Sequence, residues 1–300
     1  MNKEQKGKQA TGIGFLAILL WGQLALLTTL AGEIPPFQLT AITFSIAFLV
    51  GIAVFVKSGG DFSVFKQPVS VWLNGIIGLF GYHAVYFMAL QNAPSIEASL
   101  INYLWPILIV LFSAFLPGER LRWFHAAGVI LGFAGVAALL MREGFAIHGE
   151  YALGYGLALL CAVIWAAYSV ISRKLRAAPT ILIGAYCGIT AVLSLTCHLL
   201  FEKTVPITGM QWLYVIAMGV GPVGLAFFVW DHGVKRGNIK LLGTLSYIAP
   251  LLSSALLLAF GKAEFSVGLL IACALIIAGS LLSALDRFRK AGKQIAVSDN

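Results

Sequence analysis

Residues 95–116 read SIEASLINYLWPILIVLFSAFL, and residues 241–260 read LLGTLSYIAPLLSSALLLAF. Each is an apolar run close to the ~20 residues that a helix needs to cross ~30 Å of hydrocarbon. Each also carries a tyrosine three residues ahead of a mid-run proline, Tyr103 with Pro106 and Tyr247 with Pro250. The two sets stand 144 residues apart, as do Trp21 and Trp165, and Gly135 and Gly279. Glu119 and Glu264 are 145 apart, one loop residue more. Equal offsets on different helices mark an internal repeat; chance matching in an Ala-, Gly- and Leu-rich chain would scatter them.

Working outward, runs of the same kind fill the chain. The first half has Gly12 to Ala31, Phe37 to Val56, Val69 to Leu90, Ser95 to Leu116 and Trp123 to Met141. The second has Tyr151 to Ser172, Thr180 to Leu200, Met210 to Trp230, Leu241 to Phe260 and Ser266 to Leu285. With 60% hydrophobic and 11% charged residues, a water-soluble globule is excluded. Five spans per repeat is an odd number, so the second copy must enter the membrane from the opposite face. The expected fold is an all-α integral membrane protein: ten transmembrane helices as two inverted five-helix repeats around a central cavity. Residues 1–145 form the first repeat, and residues 146–300 form the second plus a basic cytoplasmic tail.

Charge sets the orientation. The net charge of +8 would suggest nucleic acid in a soluble protein, but here the basic residues lie in short strips between apolar runs. On one side fall 17 of the 20, leaving only Arg142, Lys203 and Lys262 on the other. Lys and Arg accumulate in cytoplasmic loops, so both termini are expected in the cytoplasm of a multi-pass inner-membrane protein. The tail beyond Asp286 is expected to meet anionic lipid, with no nucleic-acid partner. Met1 to Thr11 is polar, and the run behind it is too long for a signal-peptide core, which gives an uncleaved first span. Cys161, Cys187, Cys197 and Cys273 all fall inside apolar runs without CxxC or His-paired spacing. That pattern points to packing, with no disulfide framework, metal or cofactor.

Candidate binding residues are polar or aromatic groups deep within spans. Trp72, Trp123, Trp212 and Trp230 lie at span ends and fit the interfacial belt. Trp21, Trp105 and Trp165 lie well inside, where an indole N–H needs a partner or a watery cavity, so they are read as cavity lining. In G-Y-H-A-V-Y, Tyr82 and Tyr86 are four apart and His83 and Tyr86 three apart, which groups them along one side of a helix. His83 serves either a helix–helix hydrogen bond or a substrate carboxylate and pH sensing. In the fourth span Asn102 and Trp105 share a face while Tyr103 points elsewhere. Gln23, His83 and Asn102 offer hydrogen bonds to an amino-acid head group. Glu97, near an outer end, reads as a solvated or capping carboxylate, and Asp231 as a loop ion partner of Lys235 and Arg236. Pro106 and Pro250 remove a helical hydrogen bond at matching positions and are candidate hinges. Gly75, Gly78 and Gly81, and Gly128 with Gly132, fit small-residue packing within a monomer.

The segment ALQNAPSIEASLINYLWPILIVLFSAFLPGERL, residues 89–121, resembles the signature of the EamA family of the drug/metabolite transporter superfamily. Ala89-Leu90, Pro94, Ala98, Pro106 and Gly118-Glu119 carry the likeness, and Tyr247, Pro250 and Glu264 repeat it more weakly. The resemblance spans essentially the whole chain. It implies a ten-helix inverted repeat and the export or uptake of small metabolites through a central cavity, which the inverted-repeat plan permits by alternating access. Trp21, Tyr82, His83, Tyr86, Tyr103, Trp105 and Trp165 further resemble the aromatic amino-acid exporters, which implies an aromatic amino acid as the small-molecule substrate. Other cargoes stay open as alternatives. Phosphorylated or nucleotide sugars call for Lys or Arg at mid-depth, and cationic drugs for a deep Glu. A membrane-embedded enzyme needs a nucleophile, acid–base pair or metal cluster at one depth, and none is evident; a non-transporting scaffold is the remaining reading.

Overall fold

The computed structural model describes residues 3–117, 121–140, 148–262 and 267–283. Gly118, Glu119, Arg120, Arg142, Glu264 and the basic tail lie outside them. Among the described residues there is no strand. A helix satisfies its own backbone polar groups, which a spanning segment must do where water is absent. Ten apolar helices follow in order: α1 (Glu4–Ala31), α2 (Pro36–Lys57), α3 (Val69–Asn92), α4 (Ser95–Ser113), α5 (Trp123–Leu140), α6 (Gly149–Lys174), α7 (Leu182–Phe201), α8 (Gln211–Arg236), α9 (Ile239–Ala259) and α10 (Val267–Ser283). Eight of these have the length and hydropathy to cross a membrane, and α5 and α10 are shorter apolar helices. The chain is a multi-pass membrane protein.

The helices start where the sequence punctuates. Pro35, Pro68 and Pro94 stand immediately before α2, α3 and α4, positions where a missing N–H costs nothing. Asn238 caps α9 by accepting the Leu241 N–H at 3.1 Å. The largest departure from hydropathy is α8. Asp231 and His232 look like a polar boundary after Trp230, yet the helix continues to Arg236, because Asp231 bonds Thr180 of the α6–α7 connection and Lys235 one turn on.

Small residues let backbones approach. A Cβ on Gly233 of α8 would stand 2.5 Å from the Gly14 Cα of α1, and one on Gly51 of α2 2.5 Å from the Gly184 Cα of α7. A Cβ on Gly279 of α10 would meet the Gly128 carbonyl of α5 at 2.5 Å. Without a hydrophobic drive between helices in lipid, such close packing supplies the attraction. Ala158 and Ala89, which stand 144 residues from Gly14 and Gly233 in turn, are fully buried in one cluster between α6 and α3. Gly75 and Gly78 receive the rings of Tyr186 and Tyr168, and Gly132 that of Tyr247. Gly81 departs from its expected packing role, since a Cβ there would meet nothing closer than Ile77 of its own helix at 3.5 Å.

These contacts predict a contrast. At Gly78→Ala the new methyl lands 2.3 Å from the Tyr168 ring and 2.8 Å from the Tyr168 Cβ, so rotating the ring gives no relief. Overpacking of that kind costs about 1–3 kcal/mol. The Tm of the detergent-purified chain should fall for Gly78→Ala and stay unchanged for Gly81→Ala.

Several helices are interrupted near one level. α1 turns at Gly22–Gln23, α4 at Tyr103–Leu104 and α9 at Ser246–Tyr247. Pro106 and Pro250 have no N–H for the carbonyls of Asn102 and Ser246, so these breaks sit one turn ahead of them. Tyr247 Oη donates to the Tyr103 carbonyl at 3.3 Å, joining two positions 144 residues apart. α3 and α8 each contain a π turn, Ile77–Gly81 and Gly221–Leu225. Those turns are also 144 apart.

A candidate small-molecule site with aromatic walls

The irregular turns aim side chains inward. Behind the α3 π turn, His83 Nδ1 lies 2.7 Å from the Leu79 carbonyl. A carbonyl only accepts, so Nδ1 carries a proton, and the lone pair of the neutral form of the ring lies on Nε2. Asn102 Nδ2 donates to Tyr82 Oη at 3.0 Å, and the Tyr86 and Ser99 hydroxyls are 3.0 Å apart. These two bonds tie α3 to α4. Asn102 Oδ1 is buried without a hydrogen-bond partner. Across the bundle, Trp21 Nε1–H donates to the Pro222 carbonyl in the α8 π turn at 3.0 Å.

Aromatic rings fill the crossing. Trp21 lies 6.5 Å from Trp105, 5.6 Å from Trp165, 6.1 Å from Phe227 and 5.1 Å from Trp230, centroid to centroid. Tyr82 stacks parallel to Tyr86 at 6.1 Å and meets Trp165 at 5.5 Å. Between them is a cavity of about 250 Å³, lined by Trp21, Leu24, Tyr82, His83, Tyr86, Ser99, Asn102, Tyr103, Trp105, Trp165, Pro222, Val223, Phe227 and Ala249. Nine of these 14 come from the first half, including every histidine, amide and hydroxyl group.

Of the nine residues expected to bind substrate, Trp21, Tyr82, His83, Tyr86, Asn102, Tyr103, Trp105 and Trp165 lie on this lining. Gln23 does not. It is exposed and its Nε2 donates to the Leu19 carbonyl of its own helix at 3.3 Å. Tyr103 shares the cavity with Asn102 and Trp105 against the helical-wheel expectation, because the turn at Tyr103–Leu104 resets the phase of α4. Pro106 and Pro250 are buried off the lining, and Ala249 reaches it. Phe227 and Ala249 were legible as the counterparts of His83 and Trp105 at the repeat offset; Leu24, Ser99, Pro222 and Val223 had no such signal.

Two assignments are corrected. Trp230 is no interfacial residue: it is fully buried and its Nε1–H donates to Ser169 Oγ at 3.1 Å. Asp231 does pair with Lys235, yet within α8 and not in a loop, and Arg236 turns to His232 instead. Asp231 is 2% exposed, its Oδ2 accepting from Lys235 Nζ at 2.8 Å and from Thr180 Oγ1 at 2.6 Å. Glu97, in the first turn of α4, is only partly exposed, and its Oε2 is buried without a hydrogen-bond partner. His198 stands far along α7 from the basic side, bonded to Glu202 and Thr204 at 2.9 Å each.

Ten apolar helices around an aromatic cavity define a multi-pass helical membrane protein with an internal chamber. The chain belongs to the EamA-like transporter family, which it matches over residues 10–141 and again over residues 152–285. It is 54% identical to the aromatic amino acid exporter YddG of Ancylobacter novellus, over 92% of this chain and 97% of that one. It is 27% identical to the aromatic amino acid exporter YddG of Salmonella typhimurium (94% and 99% covered) and 26% to that of Escherichia coli (92% and 96%). A solved crystal structure at 54% identity superposes with a TM-score of 0.90, covering 94% of this chain and 98% of that one. These relatives are named as exporters and not as enzymes.

Proposed function

We propose that the chain exports aromatic amino acids across the inner membrane through the central cavity, with both termini in the cytoplasm. The observation that carries this reading is the lining itself: three indoles, three phenols and an imidazole around a chamber sized for one small molecule. Ring faces and edges take an aromatic side chain. The neutral His83 Nε2 accepts from the substrate ammonium, which the indole faces also attract. Phenol and indole donors serve the carboxylate. The lining includes no Lys, Arg, Asp or Glu, which disfavours phosphorylated sugars and drug cations as cargo.

The two halves act as inverted repeats in alternating access, with Pro106 and Pro250 as hinges. Four facts support this: the two family matches, the landmarks 144 residues apart, the paired π turns and the Tyr247–Tyr103 bond. Proteoliposomes loaded with phenylalanine, tyrosine or tryptophan should exchange label for the same amino acid, and Trp105→Ala should abolish the exchange. Flux of leucine or sugar phosphates with none of the aromatic amino acids would overturn the substrate. Repeating the assay under an imposed pH gradient separates facilitated diffusion from proton coupling.

A further inference from the structure

The cavity occupies one side of the crossing, and the equivalent space on the other side is filled. Adding 144 residues turns Leu24 and Tyr86, which line the cavity, into Tyr168 and Trp230, which are 2% and 0% exposed. Both pack on Trp165, at 5.2 and 6.2 Å, and form a floor towards the basic ends of α6 and α8. Beneath that floor Arg173, in the last turn of α6, reaches the end of α8. Its Nη1 donates to the carbonyls of Val234 at 3.1 Å, Lys235 at 3.0 Å and Gly237 at 2.7 Å.

Carbonyls in the final turn of a helix have no helical N–H to accept from, and a cation is favoured at that end. The guanidinium supplies both. Among the described residues, the positions equivalent at the 144-residue offset carry no such clasp. Arg173 corresponds to Thr29, which is exposed and donates to the Ala25 carbonyl of its own helix. Ser169, the partner of Trp230, corresponds to Ala25, and the Tyr86 hydroxyl pairs with Ser99 on α4. At these positions, among the described residues, no hydrogen bond joins α1 to α3 as these bonds join α6 to α8.

We infer that Arg173 is the latch of the gate on the basic side. Its guanidinium clamps the end of α8 to α6 with Trp230 seated on Ser169, and its release lets that side open to the cavity. The carbonyls it frees lie at the end of a span, where water takes its place. The inference rests on the alternating-access reading, and it assigns one gate of that cycle to one side chain.

The test places a thiol under the floor. Ser169→Cys is nearly isosteric at a fully buried position, and its modification by a membrane-impermeant maleimide is followed by peptide mass spectrometry in inside-out vesicles. Adding Arg173→Met should speed modification of that thiol roughly tenfold, since the rate follows the population of the open minor state. Arg173→Lys, which keeps the charge but cannot span three carbonyls, should fall between. Equal rates in all three chains would overturn the latch, as would a Met variant whose faster labelling tracks loss of monodispersity while the Lys variant matches its parent. Proteoliposome flux of the parent chain is measured separately. Faster labelling without any aromatic amino-acid flux would keep the latch and reject the aromatic amino acids as substrate.

Discussion

Lys235→Met destabilises the chain by about 3–5 kcal/mol, and adding Asp231→Asn restores most of the loss. The Asp231 and Lys235 side chains are 3% and 7% exposed and lie four residues apart on α8. Lys235 Nζ also donates to the Ala178 carbonyl at 2.9 Å, while Thr180 Oγ1 donates to Asp231. Removing the ammonium alone leaves a carboxylate in a low-dielectric wall with a single hydroxyl for company. Removing both charges leaves Thr180 an amide oxygen to bond and fills the lysine channel with a thioether of similar length. Thermal unfolding of the detergent-purified variants reads the difference. A double variant no more stable than Lys235→Met would mean that the Ala178 contact matters more than the charge.

Trp21→Ala has a comparable cost, about 3–5 kcal/mol, because the indole is the common neighbour of Trp105, Trp165, Phe227 and Trp230. It also removes the donor to the Pro222 carbonyl, leaving the α8 π turn with an unpaired acceptor beside the cavity. Trp21→Phe keeps a ring and loses the N–H, worth about 1 kcal/mol. The alanine variant should lose both thermal stability and aromatic amino-acid flux, and the phenylalanine variant should keep most of the flux. Equal damage from the two would assign the whole effect to the Pro222 bond.

What could be read from sequence divides along a physical line. Hydropathy located all ten helices, because crossing hydrocarbon demands a continuous apolar run. The 144-residue offset tied Trp21 to Trp165 and Tyr103 to Tyr247 before any packing was known. What stayed hidden depends on partners distant in the chain. Trp230 read as a belt residue because Asp231 follows it; Lys235 one turn on was visible in the sequence, but Thr180 and Ala178, in the connection ahead of α7, which bond that ion pair and allow it to be buried, were not. Tyr103 was placed on the wrong face because a helical wheel assumes unbroken phase. The two π turns carry no composition of their own; Gly221-Pro222 hints at one, whereas Ile77 to Gly81 reads as ordinary helix.

Those two turns also record history. A π turn accommodates one residue more than an α-helix of the same rise, which is the form a single inserted residue would leave. Finding that form at Ile77–Gly81 and again at Gly221–Leu225 requires either two independent insertions at matching sites or one that was copied. Copying is the simpler account. On the proposed reading of the halves as repeats, one insertion in a five-helix unit, copied when that unit doubled, leaves a turn at both places, in a polar-lined half and in a sealing half.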